Sequence, residues 1–314
     1  MRRNLQLMDI SLRVYIPALI ASAILVVPSV RLSFFDIGWR WFYVLLISFA
    51  FSFCLTPIYG WIARRYDILD RPDGRKMHEE ATPLLGGLAV FSAFIIALLV
   101  NGIFSLKLGV ILIAAGILCV VGVADDIKEI PAWVKLVAQF LCTALVMHFG
   151  IVLHVVPNSL GVFADIANVS LTVLWILGIT NAMNFFDGMD GLAAGLGGVI
   201  AFFLGVVAFQ TAQPFLGWVS AAMMGSCFGF LPHNLKLNKA AAIFLGDAGA
   251  TAIGFVLACV AVYGKWSASD PVVALISPIL IFWILIFDMT YISADRIIAG
   301  LQESFSSLGK RRGM

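Results

Sequence analysis

The sequence is poor in charged residues, which make up 12% of its 314 positions, while hydrophobic residues make up 61%. A soluble globular protein carries about 25% charged residues, so this composition excludes that class. The net charge of +2 is too small to indicate a nucleic-acid partner. We therefore predict an all-α polytopic membrane protein.

Cysteine and histidine are too scattered to form a metal centre. The five cysteines stand singly in apolar runs, and none forms a CxxC pair or lies near a histidine at metal-ligand spacing. This pattern argues against both a zinc site and a disulfide framework. Any metal is therefore expected to use oxygen ligands.

Apolar runs long enough to cross a bilayer, at about 20 residues of helix each, occur ten times. No small-residue cleavage site follows the first run, so we interpret it as a retained span. The polar connection 150–167 does not span, and we predict a short surface hairpin at 151–156. The ten predicted spans are 12–30, 40–63, 84–101, 108–124, 132–149, 168–184, 192–209, 214–231, 249–265 and 272–290.

Lysine and arginine are distributed unequally between the two ends of these spans. With a cytoplasmic N-terminus, only Arg31, Arg40, Lys107 and Lys265 of the 20 cationic residues fall outside. This positive-inside bias predicts that both termini are cytoplasmic. We expect a single domain over 1–314, in which 1–40 supplies an additional span and 291–314 a short cytoplasmic tail.

Every acidic motif falls on the side that this topology makes cytoplasmic. Asp125 and Asp126 close the fourth span, and Lys135 lies at the start of the fifth. Asp247 precedes the ninth span, near a helix N-terminus, where N–H groups favour anions. The segment 181–192, NAMNFFDGMDGL, places two amides and two carboxylates between two spans. Each motif alone also fits a polar turn or a capped helix end, but their common face indicates a ligand site.

The residue types on this face suggest a chemistry. Carboxylate and amide oxygens suit Mg²⁺, with Mn²⁺ as the alternative, bound together with substrate phosphates. Lys76 and His78 lie in a cationic loop on the same side, which suits phosphate. The pattern favours an enzyme of phosphoryl transfer. The alternative is a cation- or proton-coupled transporter, which would hold its acids near the bilayer midplane.

These motifs, in this order, resemble those of the polyprenyl-phosphate N-acetylhexosamine-1-phosphate transferase superfamily. The similar branch starts the synthesis of cell-surface glycans such as O-antigen, enterobacterial common antigen and teichoic acid. The resemblance extends from Asp70 to Arg296. It comprises RKxH…P…GG at 75–87, DD at 125–126 followed by Lys135, NxxNxxDGxDGL at 181–192, LPxN at 231–234 and IFxGDxG at 243–249.

The resemblance implies transfer of a sugar 1-phosphate from a UDP-N-acetylhexosamine to undecaprenyl or another polyprenyl phosphate, with release of UMP. It also implies a multi-pass protein of the bacterial inner membrane whose active site, at the cytoplasmic helix ends, faces the cytoplasm, and it leaves a homodimer open. Asp125 and Asp126 would be catalytic, and Asp247 and Asn184 would bind Mg²⁺. The residues expected to bind substrate are Lys135, Asn181, Asp187, Gly188, Asp190, Phe244, Lys76, His78, Asn234 and Arg296.

The chain departs from the family pattern in two places. Ala250 stands where the family has serine after the GDxG residues, and no histidine follows Arg296, where many bacterial members carry a His-rich motif. The second departure leaves the identity of the donor sugar open. It also weighs against the muramyl-pentapeptide branch, which carries such a motif.

Overall fold

A computed structural model describes residues 15–71, 81–236, 240–267 and 271–312. The described residues are helical apart from connections and one two-residue strand pair, which confirms the all-α prediction. The helices are α1 Tyr15–Val26, α2 Pro28–Asp36, α3 Arg40–Arg65, α4 Gly86–Val100, α5 Leu106–Ile127, α6 Ala132–His148, α7 Val162–Phe185, α8 Leu192–Gln210, α9 Pro214–Asn234, α10 Gly246–Tyr263, α11 Pro271–Ile281 and α12 Trp283–Arg312.

The helices follow the order of the ten predicted spans, but their lengths differ. Six described helices, α3, α5, α7, α8, α9 and α10, are long and apolar enough to cross a membrane. The count reaches seven if α1 and α2, which meet at an angle of 69°, form one bent span. Helices α4 and α6 are apolar but shorter, at 15 and 17 residues. The protein is therefore a polytopic membrane protein.

The first and last predicted spans are each divided. Pro28 begins α2, at a helix position where the missing N–H of proline is tolerated. At the end of α1, the carbonyl of Leu25 accepts a hydrogen bond from the hydroxyl of Tyr43. The last predicted span divides at Phe282 into α11 and α12. Helix α12 then continues to Arg312, so the predicted tail is helical over most of its length.

Helix α10 lies at the centre of the bundle, since 89% of its residues are buried. It is rich in glycine and alanine, and small residues let helix backbones approach closely in a membrane, where apolar burial gives little drive for association. At Gly87 of α4 and Gly249 of α10 the two backbones are in contact, and a Cβ on either glycine would clash. This packing brings the N-terminal ends of α4 and α10 together.

The predicted hairpin at 151–156 is wrong. This segment is irregular, and its backbone is held by side chains of α7 rather than by a partner strand. The amide oxygen of Asn168 accepts from the N–H groups of Val155 at 3.0 Å and Val156 at 2.9 Å. The hydroxyl of Thr172 accepts from the N–H of Leu153 at 2.9 Å. Polar side chains of α7 thus accept the backbone hydrogen bonds of this segment, which the prediction had given to a partner strand.

The short strand pair was not predicted from the sequence. Strands β1, Leu69–Asp70, and β2, Thr82–Pro83, pair antiparallel, with Leu69 opposite Pro83 and Asp70 opposite Thr82. The carbonyl of Pro83 then accepts the N–H of Phe244 at 2.8 Å. The pair thereby ties the start of α4 to the loop that precedes α10.

Candidate active site

Lys135 is the centre of an ion-pair network between three helices. From the first turn of α6 its Nζ donates to Asp125 Oδ2 at 2.7 Å and to Asp247 Oδ2 at 2.9 Å. Asp125 lies in the last turn of α5 and Asp247 in the first turn of α10. The second oxygen of Asp125 accepts the N–H of Ile130 at 2.7 Å, which closes the α5–α6 connection over the carboxylate. About 30% of the Lys135 side chain is exposed.

Asp126 is turned towards the N-terminus of α10 and does not contact Lys135 directly. Its Oδ1 accepts the N–H of Asp247 at 3.0 Å, and its carboxylate also accepts from the N–H of Ala248. It therefore caps the positive end of that helix. Its Oδ2 is buried without a hydrogen-bond partner among the described residues. The two adjacent aspartates thus make different contacts, as their directions on a helix predict.

Gly246 permits this close approach of Asp126. Its φ of +74° is a conformation that side chains other than glycine rarely adopt, and a Cβ there would lie 2.7 Å from Asp126 Oδ2. The N–H of Gly246 also donates to the carboxylate of Asp187. The glycine of the GD motif therefore lets two carboxylates from other helices reach the start of α10.

Asn181, Asn184 and Asp187 follow one another at intervals of three residues. The first two lie in the last turns of α7, and Asp187 lies in the short 3₁₀-helix Phe186–Gly188 that extends it. This spacing places them on one helix face. Asp187 is close enough to Asp126 and Asp247 for their charges to interact. The segment 181–188 therefore joins the acidic cluster, which we define as Asp125, Asp126, Asp187 and Asp247.

Gln139 is a site-adjacent residue that the sequence analysis did not identify. Its side-chain amide pairs reciprocally with that of Asn181, and it lines a small cavity of about 10 Å³ together with Lys135, Asp247 and Thr251. One signal was available in the sequence. Gln139 is a lone amide in an apolar helix, one turn after Lys135.

The loop before α10 is held in place by backbone hydrogen bonds. The N–H of Gly86 donates to the carbonyl of Phe244 at 3.0 Å, and the N–H of Gly87 donates to that of Leu245 at 2.7 Å. The GG motif therefore fixes the GD motif. Phe244 itself is half-buried.

Asn234 connects two of the motifs and is itself buried. Its amide oxygen accepts the N–H of Gly191 at 2.5 Å, and its amide nitrogen donates to the carbonyl of Ile243 at 2.9 Å. Both ends of the side chain are thus occupied within the protein. This geometry suits a residue that positions the DGL turn and the GD loop rather than one that contacts substrate.

The remaining predicted residues lie at the edge of the cluster or outside the described residues. Gly188 and Asp190 are exposed in the turn after α7. Arg296, exposed on α12, lies with its guanidinium carbon 5.7 Å from the centre of the Phe185 ring. Lys76 and His78 lie outside the described residues.

An apolar groove of about 670 Å³ begins beside the acidic cluster. Leu136 and Phe140 of α6 line one side, and α7 lines the other from Val169 to Phe185, with Met289 contributed by α12. Among the described residues that line this groove, Asn181 is the only amide. A groove of this composition suits a hydrocarbon chain whose polar end lies near Asn181.

The donor atoms of the cluster fit Mg²⁺ if a phosphate ligand completes the coordination. Within the described part of the chain, no group of three or more His, Cys, Asp or Glu side chains is arranged to hold a metal unaided. Mg²⁺ usually takes one or two carboxylates, several waters and substrate phosphates. Asp247 supplies such an oxygen, Asn184 lies one turn before Asp187 of the cluster, and Asp126 Oδ2 is buried with no hydrogen-bond partner among the described residues. Four carboxylates beside one lysine also favour an added cation.

Comparison with known proteins identifies one family. The model of glycosyl transferase family 4 matches residues 108–265, which contain the acidic cluster and Lys135. A probable undecaprenyl-phosphate N-acetylglucosaminyl 1-phosphate transferase of Bacillus subtilis is 33% identical, over 81% of this chain and 71% of its own length. A decaprenyl-phosphate N-acetylglucosaminephosphotransferase of Mycobacterium leprae is 29% identical over the same shares of the two chains. A phospho-N-acetylmuramoyl-pentapeptide-transferase of a Thermoanaerobacter species is 29% identical, over 74% of this chain and 78% of its own.

Proposed function

The chain belongs to glycosyl transferase family 4, and we propose that it transfers N-acetylglucosamine 1-phosphate from UDP-N-acetylglucosamine to a polyprenyl phosphate. The observation that carries this proposal is that an apolar groove and a charged site both include residues of helix α6. Lys135 joins Asp125 to Asp247, and its neighbour Leu136 lines the groove. A lipid phosphate has both an apolar chain and an anionic head, and this site offers surroundings for each.

The relatives favour N-acetylglucosamine as the sugar. The names of the Bacillus and Mycobacterium relatives specify this sugar, and each of these relatives matches 81% of this chain. The muramoyl-pentapeptide relative matches 74%. The alternative is a larger donor that carries a muramoyl-pentapeptide, and an assay with a panel of UDP-sugars distinguishes the two.

In the proposed reaction, an oxygen of the lipid phosphate attacks the β-phosphorus of the donor. A bond forms between that oxygen and the β-phosphorus, while the bond from the β-phosphorus to the bridging oxygen breaks. The bridging oxygen keeps the electron pair and leaves as part of UMP. Such transfer depends mainly on positioning and on neutralising the phosphate charges.

The residues of the cluster divide this work. Lys135 presents a point charge to the phosphates, and Asp125, held by Lys135 and by the N–H of Ile130, orients the lipid phosphate and takes its proton. Asp126 positions Asp247 through the backbone of α10. Asp187 supports the same loop through the N–H of Gly246.

Mg²⁺, or Mn²⁺ in its place, would be held by Asp247 and Asn184 together with the donor diphosphate. When bound, it would supply positive charge that polarises the phosphoryl group under attack. The proposal rests on the oxygen donors of the cluster. Neither histidine nor cysteine is needed.

Donor recognition is assigned to the rim of the site. We assign the uracil to Phe244, Gly188 and Asp190, since a base stacks on an aromatic ring and Phe244 is held in place through its backbone. Arg296 adds a cation at the same end of α7. Lys76 and His78 are assigned to the donor phosphates by charge alone.

The proposed setting is the bacterial plasma membrane, with the acidic cluster facing the cytoplasm. The distribution of lysine and arginine supports this orientation. The cluster lies at helix ends, in the last turn of α5 and the first turn of α10, and not at the middle of a span. That position suits an enzyme that takes a soluble donor from the cytoplasm better than it suits a transporter.

The proposal is tested with purified protein in detergent, supplied with undecaprenyl phosphate, Mg²⁺ and a panel of UDP-sugars. We expect UMP to be released with UDP-N-acetylglucosamine and only when the lipid is present. Folded protein that releases UMP with none of the donors would contradict the proposal. UMP release with UDP-N-acetylmuramoyl-pentapeptide alone would assign the protein to the muramoyl-pentapeptide branch of the family.

A further inference from the structure

Gln139 is a buried polar residue to which the proposed chemistry gives no role. Its side chain is 4% exposed. Its Oε1 accepts from Asn181 Nδ2 at 2.7 Å, and its Nε2 donates to Asn181 Oδ1 at 3.3 Å. Asn181 Nδ2 also donates to the carbonyl of Leu177 at 2.8 Å. The Asn181 amide is therefore fixed in one orientation by three hydrogen bonds.

This amide pair sets the register of α6 against α7. Gln139 lies one turn after Lys135 on α6, and Asn181 lies three residues before Asn184 on α7. Linking Gln139 to Asn181 thus fixes the height of Lys135, and of the Asp125 carboxylate that it binds, relative to Asn181. Asp125 is assigned to the lipid phosphate in the proposed reaction.

The same pair separates the apolar groove from the acidic cluster. The groove lies between α6 and α7, lined on the α6 side by Leu136 and Phe140, which flank Gln139 in the sequence. Asn181 lines the groove, whereas Gln139 lines the small cavity with Lys135 and Asp247. A lipid in the groove would therefore meet the pair at the point where its chain ends and its phosphate begins.

We infer that Gln139 is a positioning residue for the lipid acceptor: through Asn181, it sets how far the lipid phosphate enters the acidic cluster. This inference rests on the proposed function and adds a residue to it. With leucine at 139, the Asn181 amide loses its partner and the apolar surface extends towards Lys135. The lipid phosphate then loses its fixed depth, while the donor side of the site is unaltered.

The test compares the KM values for the two substrates in Gln139→Leu. In this variant Asn181 no longer has a fixed orientation, so we expect the KM for undecaprenyl phosphate to rise about tenfold, which corresponds to about 1.4 kcal/mol. The KM for the UDP-sugar should stay within about twofold, because no predicted donor contact is touched. Thr143→Val is the matched control. Thr143 is buried one turn further along α6, its hydroxyl has no hydrogen-bond partner among the described residues, and its replacement should leave both KM values unchanged.

Exchanging the amide residues at positions 139 and 181 distinguishes a loss of positioning from misfolding of the variant. Gln139→Asn shortens one side chain of the amide pair by one methylene group, and Asn181→Gln lengthens the other by one. The double variant therefore restores the combined length of the two side chains. We expect each single variant to weaken use of the lipid and the double variant to recover at least half of the loss. Equal changes in both KM values, or no recovery in the double variant, would overturn the inference.

Lipid binding without donor separates this inference from the proposed function. Undecaprenyl phosphate should raise the Tm of the wild type, and the rise should be lost in Gln139→Leu and kept in Thr143→Val. An equal rise in all three proteins would contradict the role of Gln139. If the wild type binds lipid in this way but releases no UMP, the proposed reaction fails while the role of Gln139 in lipid binding stands.

Discussion

Polar side chains lie at both ends of α7, but they are used differently. Near its N-terminal end, Asn168 is 3% exposed and makes three hydrogen bonds to the backbone of Val155 and Val156. Near its C-terminal end, the acidic cluster depends on one lysine for its ion pairs, and Asp126 Oδ2 has no partner among the described residues. The first region is neutral and satisfied, whereas the second is charged and incompletely satisfied.

The difference indicates that the acidic cluster is the region that binds a ligand. Buried polar groups cost free energy unless they are paired, so a protein that only needs to hold its backbone uses an arrangement like that of Asn168. A cluster of four carboxylates that shares one partly exposed lysine and has an oxygen without a partner is costly unless a cation or a phosphate binds to it. Substitutions at the two ends should therefore separate stability from turnover.

Asp247→Asn should have the largest effect on turnover. The amide keeps the shape of the side chain but removes the charge, so we expect UMP release to fall about 1,000-fold or more. The Tm should change little, because the variant relieves repulsion within the cluster. Asp165→Asn, an exposed acid in the first turn of α7, is the matched control and should be fully active. Comparable turnover in the two variants would remove Asp247 from the reaction.

Lys135→Met should have the next largest effect. Methionine keeps much of the apolar stem and removes the ammonium, and loss of a charge-assisted contact to phosphate predicts a fall of about 10- to 100-fold in kcat/KM. Steady-state kinetics with both substrates provide the measurement. Lys107→Met is the control, because Lys107 donates to the carbonyl of Gly150 away from the cluster. If both lysine variants lose the same activity, Lys135 has no special function in the site.

Asn168→Ala should have the smallest effect on turnover and a clear effect on stability. It leaves the N–H groups of Val155 and Val156 without their acceptor, which costs about 1–3 kcal/mol. Thermal unfolding in detergent should show a lower Tm, while kcat per folded molecule stays at the wild-type value. An unchanged Tm together with reduced turnover would contradict the assignment of Asn168 to stability and of the acidic cluster to turnover.

The order of the helices and the convergence of the motifs were predictable because both depend on sequence patterns. Apolar length predicts spans, and placing Asp125, Lys135 and Asp247 at helix ends on the same side of the membrane brings them within reach of one another. The sequence could not predict which carboxylate would contact Lys135. That outcome depends on the close approach of α5 to the start of α10, which Gly246 permits.

The features that sequence reasoning missed are those in which side chains replace regular structure. The β-branched start of 151–156 suggested a hairpin, but Asn168 and Thr172 supply the hydrogen bonds instead. Gln139 stands out in the sequence only as a lone amide in an apolar helix, and its partner, Asn181, lies on a different helix. The division at Phe282 lies within a continuous apolar run, and composition alone does not reveal it.

The central claim is that the acidic cluster transfers a sugar together with a phosphate. It is tested most directly with UDP-N-acetylglucosamine that carries radioactive phosphorus at the β-phosphate, incubated with undecaprenyl phosphate, Mg²⁺ and either the wild type or Asp247→Asn. We predict that the wild type moves the label into the lipid fraction and releases unlabelled UMP, and that the variant does neither. Label retained in released UDP, or equal transfer by both proteins, would contradict the account.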